Sequence, residues 1–242
     1  MAAPPPARAD PAIVVREILL ASVGASIAVV VLGILAGSGV LPDPRAPRNL
    51  ALGFLYSPLS LLAGAGIYGL AARRLDGEPT PPLVPAGGRP GLPGALREAA
   101  VHALLALLGS YAIGVVMTLL GAPVVEQAPI LEITAGGLQL RPDLVLLFVS
   151  ALVLAPLAEE CLLRGLLFRR LWLFATPSAA YVTTAVAFAL LHGNLQGFVV
   201  YLWLGLCFAR AYARSGRLWV AIAAHVGNNA ITLAVLLARG SP

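Results

Sequence analysis

Two adjacent glutamates inside an apolar run are the residues of this sequence best suited to chemistry. Residues 156–164 read Pro-Leu-Ala-Glu-Glu-Cys-Leu-Leu-Arg, so Glu159 and Glu160 lie where an ionised side chain is costly to insert into hydrocarbon. Glu160 and Arg164 are four residues apart with the glutamate first, the favourable order for an ion pair on one helix. Glu159 points about 100° away and has no local partner, so its carboxylate is the candidate general base.

Two further segments place a histidine on an apolar helix face. Phe188 and His192 are four residues apart and share a face, and the Gly-Asn that follows signals the end of that helix. His225 and Asn229 share a face in the same way. Each group also has a structural explanation, because a lone buried histidine is usually a core residue and polar side chains hold membrane helices together. The two glutamates and Arg164 could form a buried network of that kind.

The spacing of these groups predicts that they meet. Glu159 lies about 17 residues before the turn near Pro177 and His192 about 16 residues after it, so a helical hairpin brings both to one depth. His225 and Asn229 lie about 8–12 residues beyond the preceding arginine-containing loop, which is about 12–18 Å of helix. We therefore expect one buried pocket that contains all these polar groups.

The elements that must position these residues are membrane helices. Hydrophobic residues make up 59% of the 242 residues, charged residues make up 11%, and the mean hydropathy is +0.89. A soluble domain has about 45–50% apolar and about 25% charged residues, so the composition indicates an integral membrane protein. The net charge of +5 does not predict a nucleic-acid partner, because the arginines lie between apolar runs rather than in one patch.

Uncharged stretches of about 20 residues are long enough to cross about 30 Å of hydrocarbon as a helix. Seven such stretches predict an all-α polytopic transmembrane bundle of about seven spans, without a soluble domain or an internal repeat. The first has 24 residues, longer than the apolar region of a cleavable signal peptide. The breaker-rich linker Asp76–Pro93 is expected not to pack. The predicted spans are Ile18–Leu41, Leu50–Ala72, Ala99–Val125, Leu144–Leu163, Ser178–Leu195, the short Gly197–Ala211, which is expected to tilt little or enter only partly, and Leu218–Ala238.

The arginines are distributed unequally between the two sides of this predicted bundle. The positive-inside rule therefore places the amino terminus inside and, with seven spans, the carboxyl terminus outside. We expect the membrane to be the plasma (inner) membrane of a bacterium. The inner arginines are then Arg8, Arg16, Arg73, Arg74, Arg89, Arg97, Arg169, Arg170, Arg210, Arg214 and Arg217, and the outer ones are Arg45, Arg48, Arg141 and Arg239.

Three remaining polar or reactive residues are not assigned to the pocket. Cys161 and Cys207 lie in apolar segments and form no CxxC pattern, so we interpret them as apolar packing residues. Cys161 directly follows the glutamate pair, and a minor catalytic or substrate-linked role for it stays open. His102 lies near the start of the third predicted span and is given no role.

The three polar groups, in this order, resemble the motifs of the CPBP family of membrane proteases, which includes CAAX proteases and bacteriocin-processing (Abi) proteins. These motifs are EExxxR at 159–164, FxxxH at 188–192 and HxxxN at 225–229. The resemblance covers about 144–237, so we expect spans 1–3 with their linkers in 1–143 and a CPBP/Abi-like catalytic core in 144–238. It implies the following roles: Glu159 activates water, His192 assists, His225 and Asn229 stabilise the oxyanion, and Glu160, Arg164 and Phe188 support the site.

The expected function is that of an intramembrane endopeptidase acting on a membrane-embedded or lipidated peptide, such as a prenylated tail, a bacteriocin leader or a carboxyl-terminal sorting tail. The alternatives are a non-proteolytic binding or immunity protein of the same fold and a transporter that uses the buried carboxylates. A transporter would more often show repeated halves.

No cofactor is favoured, because the HExxH pattern is absent. If zinc is present, its ligands would be Glu159, His192 and His225. The expected partners are substrate and lipid bilayer, and the sequence leaves the oligomeric state open.

Overall fold

The computed structural model describes residues 10–43 and 52–240, and within these ranges all the regular secondary structure is helical. Arg8, Arg45, Arg48, Leu50 and Pro242, on which parts of the topology prediction depend, lie outside the described residues. The helices are α1 (Pro11–Gly37), α2 (Gly53–Asp76), α3 (Leu92–Leu119), α4 (Ala128–Thr134), α5 (Pro142–Phe174), α6 (Pro177–Leu191), α7 (Phe198–Ser215) and α8 (Leu218–Gly240).

The prediction of an all-α membrane bundle is confirmed, whereas the prediction of seven spans is wrong. Among the described helices, five are long and apolar enough to cross a membrane, namely α1, α2, α3, α5 and α8. The predicted fifth span, Ser178–Leu195, forms the 15-residue helix α6, which is only about 22 Å long. The predicted sixth span, Gly197–Ala211, forms α7, which continues to Ser215 and includes Arg210 and Arg214. The fifth segment was overestimated because the turn at Gly193 ends the helix, and the sixth is not among the candidate spans because its last turns carry two arginines.

Helices α6 and α7 form an antiparallel hairpin that starts and ends on one side of the bundle. Ala185 and Gly205 meet in the middle of the hairpin, since a Cβ at Gly205 would lie 2.8 Å from the Ala185 Cα. Gly193, with φ +60°, turns the chain after α6, and a left-handed backbone of this kind favours glycine. Because the hairpin returns to its starting side, replacing seven spans by five leaves the predicted sides of both chain ends unchanged.

Several helices extend beyond the uncharged stretches because their charged residues are paired inside the protein. Glu17 lies within α1 and is fully buried, as is Arg170 near the end of α5. Arg170 binds the Glu17 carboxylate through Nε at 2.6 Å and Nη2 at 3.0 Å, and Asp76 through Nη2 at 2.6 Å. Tyr68 donates to the same glutamate at 2.6 Å. A charge with such partners does not have to mark the end of a membrane helix.

The linker Asp76–Pro93 does pack, contrary to the sequence prediction. Leu83 is 2% exposed and belongs to the main apolar core. Thr80 accepts a hydrogen bond from Arg170 Nη1 at 2.8 Å. Proline and glycine exclude regular helix from this segment, but its other side chains still lie against the ends of α2 and α5.

Small residues bring α1 and α2 into close contact. A Cβ added at Gly24 would lie 2.7 Å from the Gly64 carbonyl oxygen, and one at Gly64 would lie 2.8 Å from the Ala25 Cα. Backbone approach of this kind is a common way for membrane helices to associate. Helix α2 in turn packs against α5, while α3 and α8 pack against each other and against α7.

The buried Arg170 cluster is expected to stabilise the folded state. Arg170→Met keeps the length of the side chain but removes the two bonds of Arg170 to Glu17, which leaves only Arg16 at 2.6 Å and Tyr68 as partners of this buried carboxylate. Breaking a buried ion pair costs up to about 3–5 kcal/mol. Thermal unfolding of the detergent-solubilised protein should therefore start at a clearly lower temperature. The matched control is Arg97→Met, because Arg97 is 74% exposed and its pair with Glu98 is a long surface contact of 3.9 Å. Equal unfolding temperatures for the two variants would contradict this role.

Candidate active site

The two glutamates of α5 point in different directions and have different surroundings. Glu160 is fully buried, and its Oε1 accepts from Arg164 Nη1 at 3.1 Å and contacts His225 Nδ1 at 3.0 Å. Glu159 lines a cavity, and its buried Oε2 has no hydrogen-bond partner among the described residues. The ion pair predicted at spacing four is confirmed, and the expectation that Glu159 has no local partner holds.

Helix α5 widens on both sides of the glutamate pair. Residues 150–154 and 161–168 form π-type turns, whereas 155–160 between them is α-helical. A π-type turn shifts the faces of the residues that follow it, and such turns are frequent at functional sites. The glutamates therefore lie on a short α-helical section with altered helix geometry at each end.

Arg164 is held from several sides and is fully buried. Besides Glu160, its Nη2 donates to the Gly205 carbonyl oxygen at 2.7 Å. Its guanidinium carbon lies 5.1 Å from the Phe188 ring centroid and 5.8 Å from that of Phe208, distances typical of cation–π contacts. The close approach of α6 and α7 at Gly205 brings this carbonyl within reach of the arginine. Arg164 thus ties α5 to both helices of the hairpin.

His225 is fixed by a carboxylate and by an aromatic ring. Its imidazole stacks on Phe208 at 4.5 Å between centroids and lies 5.6 Å from Phe188. Its Nδ1 faces Glu160 Oε1, which as a carboxylate oxygen accepts, so Nδ1 carries the proton. The other ring nitrogen, Nε2, is then left for the cavity.

His192 lies at the end of α6, where the helix stops at Gly193. Its Nδ1 lies 2.8 Å from the Phe188 carbonyl oxygen, so this nitrogen donates and Nε2 is free to accept in the neutral ring. The imidazole stacks on Tyr201 of α7 with centroids 4.0 Å apart. The Tyr201 hydroxyl donates to Glu126 Oε1 at 3.2 Å. His192 is therefore oriented by its own helix and by the start of α7.

Asn229 joins α8 to the π-type turn of α5. Its Nδ2 donates to the Ala151 carbonyl oxygen at 2.9 Å, and its Oδ1 accepts from Asn228 Nδ2 at 3.2 Å. An amide nitrogen carries two hydrogens, so one N–H of Asn229 remains for another acceptor.

A cavity of about 990 Å³ connects these side chains. It contains Glu159, His192, His225 and Asn229, so the predicted catalytic residues lie in one pocket. Phe188 lines it as well, whereas Glu160 and Arg164 lie behind its wall and contact it through His225 and Phe188. Other lining residues are mostly apolar and come from seven helices, α2 to α8; they include Phe54, Pro58, Leu107, Ile130, Leu147, Leu204, Leu233 and Leu236.

Several polar residues of the cavity were not identified as site residues from the sequence, and four of them lie near the histidines or Asn229. Tyr201, Glu126, Asn194 and Asn228 all line the cavity. Asn194 anchors the loop after α6, since its Nδ2 donates to the Val125 carbonyl oxygen at 2.8 Å. Asn228 could have been noticed as the neighbour of Asn229, but Glu126 belongs to no motif and reaches the site only through tertiary packing.

Cys161 and His102, which the sequence analysis did not assign to the pocket, lie outside the cavity wall. Cys161 is a free, half-buried thiol that is not part of the cavity wall. His102 is buried in α3, where its Nδ1 contacts the Glu98 carbonyl oxygen at 2.8 Å. Glu98 also pairs with Arg214 at 2.9 Å, so His102 belongs to a separate polar group.

A zinc ion would need at least three protein ligands at a suitable distance from one point. Throughout residues 10–43 and 52–240, no three His, Cys, Asp or Glu side chains are grouped in that way. His225 and His192 each use Nδ1 for an oxygen acceptor, which leaves Nε2 as the ring nitrogen that could bind a metal, so the grouping of the side chains decides the question. The donor set Glu159, His192 and His225 therefore does not fit a zinc site in this arrangement.

Comparison with known proteins agrees with the three motifs. Residues 141–231 match the family described as Type II CAAX prenyl endopeptidase Rce1-like. The Bacillus subtilis (strain 168) protein named "Putative membrane peptidase YdiL" is 29% identical over 106 residues, which is 44% of this chain and 43% of that protein. The chain thus matches less than half the length of this curated relative. No solved structure matches the chain. The predicted resemblance is confirmed for residues 141–231, which match this family.

The contacts of the histidines predict their tautomers. Both His192 and His225 should carry the neutral-state proton on Nδ1, because Nδ1 faces an oxygen acceptor in each ring. Nitrogen NMR of histidine-labelled protein in detergent distinguishes the two ring nitrogens, and the chain has only three histidines to assign. His102→Gln removes one signal without touching the cavity and serves as the assignment control. A neutral His192 with its proton on Nε2 would contradict the described geometry.

Proposed function

We propose that this protein is an intramembrane endopeptidase in which Glu159 activates the attacking water. The observation that carries the proposal is the Glu159 carboxylate, whose buried Oε2 has no partner among the described residues and which lines a cavity with His192, His225 and Asn229. A buried, unpaired carboxylate is costly to maintain, and binding a reacting water is a function that explains it. The similarity of 141–231 to CAAX endopeptidases supports the same class of reaction.

In the proposed reaction, Glu159 accepts one proton from water while the water oxygen bonds to the carbonyl carbon of the substrate. The carbonyl oxygen becomes an oxyanion in the tetrahedral intermediate. The carbon–nitrogen bond then breaks, and the proton held by Glu159 passes to the departing amine. His192 presents Nε2 as an acceptor to the same cavity and so assists in holding the water.

The oxyanion would be held by donors on α8. Asn229 has one N–H left after its bond to Ala151, and this N–H is available for the developing charge. His225 donates through Nε2 only when the ring is an imidazolium, because Nδ1–H is already given to Glu160. Donors fixed in advance by other contacts do not have to reorganise during the reaction, which is the basis of their effect.

Glu160 and Arg164 act as positioning residues in this proposal. They do not line the cavity, but they hold His225 and the two phenylalanines that surround it. Phe188 has the same kind of role, since its ring contacts both His192 and His225.

We further propose that 144–238 is the catalytic core and that the substrate is a membrane-anchored peptide, such as a prenylated or carboxyl-terminal sorting tail. The apolar cavity wall supports a substrate of this kind.

A transporter is a weaker explanation of the buried carboxylates. Transport requires access to the site from both membrane faces in turn. On one side of Glu159 the interior is filled by Leu163, Arg164, Phe168 and Phe208, each no more than 2% exposed. The membrane peptidase name of the Bacillus subtilis relative also favours proteolysis, and we place this protein in a bacterial plasma membrane as well.

Replacing each glutamate by glutamine should separate the base from the positioning residue. Glu159→Gln removes the base but keeps size and hydrogen-bonding groups, so cleavage should be abolished while the unfolding temperature stays near that of the wild type. Glu160→Gln should lower both the cleavage rate and the unfolding temperature, because Arg164 keeps a buried charge without its partner. Peptide cleavage and thermal unfolding are measured on the same purified samples. Near-normal turnover by Glu159→Gln would refute the proposed role of this residue.

The oxyanion donors and a zinc centre make different predictions for α8. His225→Ala and Asn229→Ala should each lower kcat by about 10²–10³, with a less than additive loss in the double variant. Asn is a poor zinc ligand. If the enzyme held zinc, Asn229→Ala would keep the normal metal content, whereas His192→Ala and His225→Ala would lose the metal. We expect activity to survive exhaustive chelation. Stoichiometric zinc in the active enzyme that disappears from both histidine variants would overturn the metal-free mechanism.

A further inference from the structure

The cavity runs from the middle of the bundle to one of its ends. On α5 its wall begins at Asp143, close to the start of the helix, and reaches Glu159. On α8 the wall extends from His225 to Arg239, near the end of the helix, so here the mouth lies later in the chain than the deep end. The antiparallel course of these two helices places Asp143 and Arg239 at the same end of the bundle, and Glu159 at the deep end of the cavity.

Four of the other five helices that form the wall, namely α2, α3, α6 and α7, agree with this direction. The fifth, α4, packs against the end of α8, where Thr134 lies beside Gly240. Helices α2 and α7 contribute residues from their first halves, and α3 and α6 from their second halves. The loop that contains Glu126 follows α3 and the loop that contains Asn194 follows α6, and the two loops are joined by the hydrogen bond to Val125. Glu126 and Glu132 therefore lie at the open end with Asp143 and Arg239.

The arginine-rich end of the bundle is the opposite one. Arg170 pairs with Asp76 at 2.6 Å and Arg214 with Glu98 at 2.9 Å, while Arg217 donates to the Pro90 carbonyl oxygen at 3.2 Å. These contacts join the ends of α2, α5 and α7 to the start of α3, all of them far from the cavity mouth. No arginine of this cluster lines the cavity. The fully buried side chains of Arg164, Phe168 and Phe208 separate the cavity from this end.

The positive-inside rule assigns the arginine-rich end to the cytoplasmic side. We infer that the cavity opens on the non-cytoplasmic side, and that the substrates are membrane-anchored proteins cut in the segment just outside their span. Of the two tails named above, this opening favours a carboxyl-terminal sorting tail cut on the outer side. A prenylated tail lies in the cytoplasm and could not reach Glu159. The inferred opening is independent of the reaction, whereas the substrate class rests on the proposed peptidase function.

The opening is tested by thiol labelling of the full chain in cells, with Cys161 and Cys207 replaced by alanine. Single cysteines are introduced as Glu132→Cys at the mouth, Ala155→Cys in the cavity one turn before Glu159, and Arg97→Cys at the arginine-rich end. A membrane-impermeant maleimide should label Glu132→Cys and Ala155→Cys in intact spheroplasts, and Arg97→Cys only after permeabilisation. Labelling after denaturation shows that each variant is present. Reaction of Ala155→Cys only after permeabilisation, or only after denaturation, would overturn the inferred opening.

The substrate class is tested in the same host by comparing new protein termini in cells that express the wild type or Glu159→Gln. Termini that appear only with the wild type should map within a few residues of the outer end of a membrane span. Termini on cytoplasmic segments would overturn the inferred substrate class and leave the peptidase function standing. The absence of any wild-type-specific terminus would refute the peptidase function and the substrate class together, while the labelling result still decides the opening.

Discussion

The shared contact of the Glu160 carboxylate with Arg164 and His225 determines the geometry of the site. One oxygen of Glu160 lies 3.1 Å from the arginine and 3.0 Å from the histidine, with all three side chains almost fully buried. A buried charge is tolerated only when it is paired and hydrogen-bonded. Removing any one of the three side chains would therefore leave the others buried without a partner and lower the stability of the fold. The contact fixes α5 against α8, and Arg164 extends it to α7 through the Gly205 carbonyl.

This arrangement explains why two adjacent glutamates are needed. Neighbouring positions on a helix point about 100° apart, so one carboxylate can be committed to the ion cluster while the next faces the cavity. Glu160 takes the contacts with Arg164 and His225, while Glu159 keeps an oxygen without a partner among the described residues.

The cavity depends on parts of the chain that lie outside the family match. The match covers 141–231, but Phe54, Leu107 and Glu126 also line the cavity. Glu126 holds the Tyr201 hydroxyl, and the Tyr201 ring stacks on His192. Helices α2, α3 and α4 and the loop after α3 thus contribute a wall that a substrate would contact. The groups that would carry out the reaction come from the second half of the chain. Differences in substrate between related proteins would be expected to arise in the first half.

The sequence by itself determined the polar groups and their association. Residue type and helical spacing predicted the Glu160–Arg164 pair, the shared face of Phe188 and His192, and the convergence of these residues with His225 and Asn229. These predictions rest on helix periodicity and on the cost of burying charge, both of which act locally and can be read from one segment. The membrane class followed from composition for the same reason.

Only the tertiary structure decided the number of spans, the packing of the linker and the direction of the cavity. Glu17 and Arg170 are 153 residues apart, and only their contact shows that charged residues continue α1 and α5 beyond the uncharged stretches. Leu83 is 2% exposed, and its carbonyl oxygen lies against Gly216, which is 133 residues away in the sequence. Glu126 and Tyr201 belong to no motif, because their place beside His192 arises from the packing of α3 against α7. Such contacts depend on which helices become neighbours, and hydrophobic periodicity carries no information about that choice.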